Sequence, residues 1–286
     1  MITLITNIGQ LVTPEGRGAA FGPRMSDLRV YESAEILLEG ERILSIGSLG
    51  DHTHADEIID AEGNAVLPGL IDPHRHLRLP PAMEATNDSG PIRLDVVMGE
   101  TRLLRGFRRA VAEGTTTVEV KCATDGAGAS VIEDLALARR VGRVTPLRVS
   151  STLLGDCPDS ERRGRDDQIS ALISEVIPAA RRRRLAQFCD VTCGEGGYSL
   201  REAETILRAG RGAGFRPKIH GMGRELDQAA VLGSKLGAAS VDHLSSCGKR
   251  ASAVLRRSGA VCVLLPGTAF FFDRPYPEAR RLIESG

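Results

Sequence analysis

Apolar residues recur along this chain with two different periods. Up to about residue 65 they fall in short β-type runs, ITLITNI, AEILLEG, RILSIG and EIIDA, separated by Gly, Pro and charged turns. That pattern predicts a small β-rich domain over residues 1–65. Beyond it, seven apolar runs, AVLPGLID, TTTVEVK, LRVSSTLL, QFCDVTC, RPKIH, ASVDHL and AVCVLLPG, alternate with amphipathic stretches. Two of these, GETRLLRGFRRAVAEG and SLREAETILRAGRGAG, end in Gly as a helix C-terminus does. Repeated βα units build a parallel sheet covered by helices, and polar residues gathered at the strand C-termini predict a TIM-like (β/α) barrel with its active site on that face. An open doubly wound sheet is the alternative, disfavoured because no GxGxxG follows the first strand. A complete eight-stranded barrel takes about 250 residues. Here the run after the seventh strand, PEARRLIESG, reads as a helix. The expectation for 66–286 is therefore an incomplete barrel truncated after its seventh βα unit, with two unpaired strand edges that favour aggregation or pairing with another chain.

Composition narrows the partners. The 286 residues carry 37 Lys+Arg and 37 Asp+Glu, and this neutrality argues against bulk attraction to nucleic acid or an anionic membrane. The one basic run, Arg181 to Arg184, reads as a solvated helix face. No stretch of about 18 apolar residues occurs, and the start, MITLITNIGQLVT, lacks a basic n-region. A cytoplasmic location is expected. The six cysteines, Cys122, Cys157, Cys189, Cys193, Cys247 and Cys262, sit mostly in strand-like runs and read as reduced. Cys189 and Cys193 are better explained by strand packing than by a metal.

The histidines change the picture most. Four of the six, His74, His76, His220 and His243, fall at or just after the ends of the first, fifth and sixth predicted strands. Two residues apart on extended backbone, His74 and His76 project to one side. In a closed barrel all four would converge on the axis, where three neutral imidazoles and an open position hold a catalytic Zn2+ or Fe2+, and His243 would hydrogen-bond the attacking water or the substrate oxygen. The other HxH pair, His52 and His54, lies in a polar stretch and reads as a solvated loop. Lys121, at the end of VEVK, reads as an ion-pairing residue with Glu119 as partner rather than as a carboxylated bridge between two metals.

The segments ITNIGQLVT, GLIDPHRHL, GTTTVEVK, AQFCDVTCGEGGYS, KIHG, ASVDHLS and VCVLLPG, in this order, resemble the metal-dependent amidohydrolase superfamily and, within it, the imidazolonepropionases. The resemblance implies a barrel with residues 1–65 forming part of a β-sandwich, and one Zn2+ or Fe2+/Fe3+ held by His74, His76 and His220. It implies His243 as the catalytic residue near the metal-bound water. The reaction implied is hydrolysis of a cyclic amide C–N bond, taking 4-imidazolone-5-propanoate and water to N-formimino-L-glutamate in histidine degradation, and the oligomer implied is a homodimer. The family's metal-binding aspartate follows an eighth strand, so here Asp156 or another chain would have to supply it. Two further expectations stay open: a catalytically inactive relative serving as a binding or assembly module, and an amidohydrolase of different substrate.

Overall fold

A computed structural model describes residues 1–16, 18–49, 54–77, 86–87, 90–91, 100–124, 128–156, 164–271 and 273–286. His52, Cys157 and most of the segment after His76 lie outside the described residues. The chain divides into two compact units, Met1–Gly69 and Leu70–Ser285.

The first unit is one sheet. Its strands are β1 (Ile2–Pro14), β2 (Leu28–Glu39), β3 (Arg42–Gly47), β4 (Glu57–Asp60) and β5 (Ala65–Val66). β1 pairs antiparallel with β2, and β2 with β3, while β4 and β5 both run parallel to β1. Alternation puts Ile8, Leu11, Ala34 and Ile36 on one face as a small core, with Tyr31, Leu38 and Val66 packed against it. A register shift between Ile5 and Ile8 coincides with Asn7 at φ 52°, a bulge in the longest strand. The four strand runs anticipated here are all present, as is the single apolar face that half of a sandwich requires.

The second unit opens with β6 (Leu70–His76), followed by the short pair β7 (Thr86–Asn87) and β8 (Gly90–Pro91). The parallel sheet continues with β9 (Thr115–Ala123), β10 (Arg148–Gly155), β11 (Phe188–Gly194), β12 (Arg216–Pro217), β13 (Ile219–Met222), β14 (Ser240–Asp242) and β15 (Val261–Val263). Its hydrogen-bonded order is β15-β14-β13-β11-β10-β9-β6, with β12 beside β11. Between the strands run α1 (Glu100–Ala112), α2 (Gly128–Gly142), α3 (Arg165–Ala171) continuing through a π-helical turn into α4 (Ile177–Arg182), α5 (Leu200–Gly212), α6 (Leu226–Leu236) and α7 (Lys249–Ser258), with α8 (Pro266–Phe271) and α9 (Ala279–Glu284) after the last strand. The Arg181–Arg184 run is solvated, as its pattern predicts, with α4 stopping at Arg182.

Side-chain alternation along each strand separates two environments. Val118, Val120 and Cys122 of β9 and Cys189, Val191 and Cys193 of β11 join the main apolar cluster with Phe107, Leu135, Ile206 and Leu207 from the helices. The intervening residues, Glu119, Lys121 and Asp190, are also buried, on the opposite face of the strands. In a flat sheet, β6 and β14, five neighbours apart, would be separated by about 24 Å at about 4.8 Å per strand. Instead His74 on β6 lies 2.6 Å from Asp242 on β14. The sheet is therefore curled into a nearly closed barrel whose inner face holds these polar residues, with seven strands as the sequence predicts.

Candidate metal centre

The first two histidines reach the barrel axis through an irregularity in β6. Asp72 stands opposite Val118 and Arg75 opposite Val120, so three steps on β6 match two on β9. The extra residue falls at Pro73-His74, where Asp72 Oδ1 accepts the His74 backbone N–H at 3.2 Å. Bulges of this kind re-aim side chains. Arg75 points the other way, its guanidinium 5.9 Å from the Phe107 ring of α1.

His220 sits mid-strand on β13, flanked in register by Thr192 of β11 and Asp242 of β14. His243 follows Asp242, so simple alternation would send its side chain outward. Its backbone is left-handed, φ 62°, and this turn brings the ring back to 4.9 Å from His74 and 5.2 Å from His220. A non-glycine residue in that region costs on the order of 1–2 kcal/mol.

The four sequence-predicted histidines are thus brought together: one nitrogen from each of His74, His76, His220 and His243 falls in a group whose members all lie within 4.8 Å of one another. His74 Nε2 and His76 Nε2 are 3.1 Å apart. Two nitrogens bound to one tetrahedral ion at 2.0–2.1 Å would stand about 3.3 Å apart. His76 Nδ1 and His220 Nε2 are buried without a hydrogen-bond partner among the described residues. These residues fit a cation, and they form a possible metal site.

Two aspartates complete the centre, and sequence reasoning missed both. Asp242 Oδ2 accepts a hydrogen bond from His74 Nδ1 at 2.6 Å, which fixes the tautomer that leaves Nε2 bare. Asp190 Oδ2 lies 2.9 Å from His220 Nδ1, off the hydrogen-bond direction. With His220 these carboxylates make a second, overlapping group of possible ligands. The available signal was a lone Asp inside each of two apolar strands, FCDVTC and SVDHL. Asp156 does not join either group; its carbonyl accepts bonds from Thr124 and Tyr198.

Burial lowers the pKa of His74, and its bond to Asp242 only partly opposes this. Burial, reinforced by the neighbouring His220, holds His76 well below the usual range and brings His243 down to about 2. These three are neutral at pH 7, as ligation requires. Burial opposes the charged forms of Asp242 and Asp190, yet the His74 bond and Lys121 outweigh it at the first, and His220 and Lys121 at the second, so both stay ionised. Lys121 pairs with Glu119, as anticipated, at 2.8 Å. Burial disfavours its ammonium, but Asp190, Asp242 and Glu119 prevail and raise its pKa.

Beyond the ends of β11 and β13 lies a cavity of about 890 Å3, lined among others by Arg165, Gly194, Glu195, Tyr198, Arg224 and Glu225. Arg165 donates to the Gly197 carbonyl and pairs with Glu202 at 2.9 Å. His54, of the other HxH pair, is exposed.

The chain is 31% identical over 310 aligned residues to an imidazolonepropionase of Thermoanaerobacter pseudethanolicus, covering 99% of this chain and 74% of that protein. It is 35% identical over 313 residues to an imidazolonepropionase of Geobacillus kaustophilus, covering 97% and 73%. This chain belongs to the imidazolonepropionase family. No family model matches it. Among solved structures, a triazine hydrolase from Arthrobacter aurescens superposes with TM-score 0.70 at 17% identity, over 100% of this chain and 70% of that one. A mutant atrazine chlorohydrolase from the same organism, complexed with zinc and atraton, gives 0.67 at 16% over 99% and 70%. Imidazolonepropionases thus share this chain's sequence pattern, and these two hydrolases share its fold.

Proposed function

We propose that the chain is a metal-dependent hydrolase of cyclic amide C–N bonds, opening the ring of 4-imidazolone-5-propanoate to N-formimino-L-glutamate, as the name of its relatives suggests. The observation that carries this is the convergence of four histidines from β6, β13 and the turn after β14, with bare or unpartnered nitrogens, and with His74, His76 and His243 held neutral by burial. His74, His76 and His220 would hold one Zn2+ or Fe2+/Fe3+. Such an ion acidifies water and polarises a carbonyl.

The chain's own residues do the remaining work. Asp242 holds the His74 Nδ1 proton and keeps that ring's Nε2 turned to the cluster. His243, neutral and fixed by its left-handed backbone, hydrogen-bonds the attacking water or the ring carbonyl oxygen. Water adds across the ring C–N bond: its oxygen ends in the new carboxylate and a proton goes to the released nitrogen. A cytoplasmic site for this metabolic step and a homodimeric assembly belong to the same reading. Among the described residues no helix is long and apolar enough to cross a membrane.

Elemental analysis of the purified, dialysed chain, followed by an assay for N-formimino-L-glutamate, tests the proposal. About one ion per chain together with turnover is expected. A ratio near zero without turnover would leave a catalytically inactive relative acting as a binding or assembly module. The same barrel also serves a triazine hydrolase, and a fold does not set a substrate. Turnover of other lactams or amidines, but not of the imidazolone, would favour that second reading.

A further inference from the structure

The chain has four lysines, and two of them, Lys121 and Lys218, are buried inside the barrel. Lysine is almost never fully buried unless paired. The Lys121 side chain has no exposed surface, and its Nζ lies 2.8 Å from Glu119 Oε1, 2.8 Å from Asp190 Oδ2 and 3.0 Å from Asp242 Oδ2. Three carboxylates thus surround one ammonium, Glu119 and Asp190 accepting its hydrogen bonds and Asp242 pairing with its charge.

Two of those carboxylate oxygens are the ones that face the histidines. Asp242 Oδ2 is the atom bonded to His74 Nδ1, and Asp190 Oδ2 the atom beside His220 Nδ1. The far oxygens are fixed as well: Ser240 Oγ donates to Asp242 Oδ1 at 2.6 Å, and the Val191 backbone N–H to Asp190 Oδ1 at 2.8 Å. Glu119 is anchored separately by Thr152 at 2.7 Å and by Lys218. One ammonium therefore ties β9, β11 and β14 together directly beneath the histidine cluster, without being among the groups that would hold an ion. Lys218 reaches Glu119 and the face of Phe188 but neither aspartate.

We propose that Lys121 is a positioning residue of the histidine centre: its ammonium clamps Asp242, which hydrogen-bonds and orients His74, and Asp190, whose carboxylate packs against His220, so that both rings present nitrogens to one cation. This rests on the reading of His74, His76 and His220 as ligands. Without the clamp, three buried carboxylates repel one another and the two rings lose their fixed orientation. The groups that orient ligand histidines are worth about 10- to 100-fold in metal affinity.

The test is the Zn2+ dissociation constant of the full chain, measured by competition with a chromophoric chelator below the melting transition, for wild type, Lys121→Met and Lys218→Met. Lys121→Met is expected to bind at least about tenfold more weakly with unchanged far-ultraviolet circular dichroism. Lys218→Met, which removes a charge from the same network without touching either aspartate, is expected to stay within about twofold of wild type, by the same reasoning on ligand orientation. Equal affinity of Lys121→Met and wild type overturns the proposal, and so does an equal weakening by Lys218→Met, which would mark a general effect of lost buried charge. Should Lys121→Met not fold, Lys121→Gln, which keeps hydrogen-bond donors at the position, takes its place under the same criteria. A wild-type chain that binds no Zn2+ sinks the ligand reading and this inference together, whereas failure of the inference alone leaves wild-type binding intact.

Discussion

At the scale of residues, burial decides the charge state of three histidines of the centre, while charged partners override it at the two aspartates. His74, His76 and His243 titrate below their ordinary value in the folded chain, while in the unfolded chain each titrates near 6.5. As pH falls below about 6.5 the unfolded state takes up protons that the folded state refuses, so stability falls with pH. Each histidine contributes up to about 1.4 kcal/mol per pH unit over this window. The depressed carboxylates Asp190 and Asp242 add the same sign below the ordinary aspartate range. The ion-free chain is therefore expected to melt at progressively lower temperature from pH 6.5 to pH 5 in calorimetry with chelator present, and a flat profile over that range would contradict the burial argument. His220→Ala, which removes one of the three proposed ligands, is expected to lower bound metal at least about tenfold by elemental analysis while leaving the circular dichroism unchanged.

At the scale of elements, short local devices hold the site-bearing strands in place. α5 begins with a capping box: Ser199 N donates to Glu202 Oε2 at 2.7 Å, and Ser199 Oγ accepts from the Glu202 backbone. Ser199→Ala is expected to cost about 1 kcal/mol, read as a fall of a few degrees in melting temperature. Gly194 ends β11 at φ 106°, and a Cβ there would sit 2.2 Å from the Met222 carbonyl oxygen of β13. Gly194→Ala meets both a forbidden conformation and a backbone clash, so a loss of at least about 2 kcal/mol is expected in denaturant titration. The βα alternation, the helix stops and the core packing of Cys189 and Cys193 in β11 were legible in the sequence because period and punctuation are local. The bulge at Pro73-His74 and the left-handed turn at His243 were not, since neither alters the hydrophobic period that marks a strand.

At the scale of the whole molecule, β15 and β6 terminate the hydrogen-bonded order of the barrel sheet, and Val261 on β15 and Ile71 on β6 are 57% and 67% exposed. Unpaired strand edges with apolar side chains promote pairing between chains. Val261→Lys is expected to raise the monomeric fraction in light scattering, and no change would show that this edge does not drive association. The sequence by itself determined the seven strands of the barrel, the strand runs of the β-rich unit and that His76 and His243 stand at strand ends, because those depend on hydrophobic period and on position within a strand; His220, expected at a strand end, lies within β13. It also paired Lys121 with Glu119, two residues apart on one strand face. Only the tertiary structure decided that Asp190, Asp242 and Lys121 meet beneath those histidines. Closing a sheet joins strands that are remote along the chain, and no local pattern records which inward-facing residues that closure will bring within hydrogen-bonding distance.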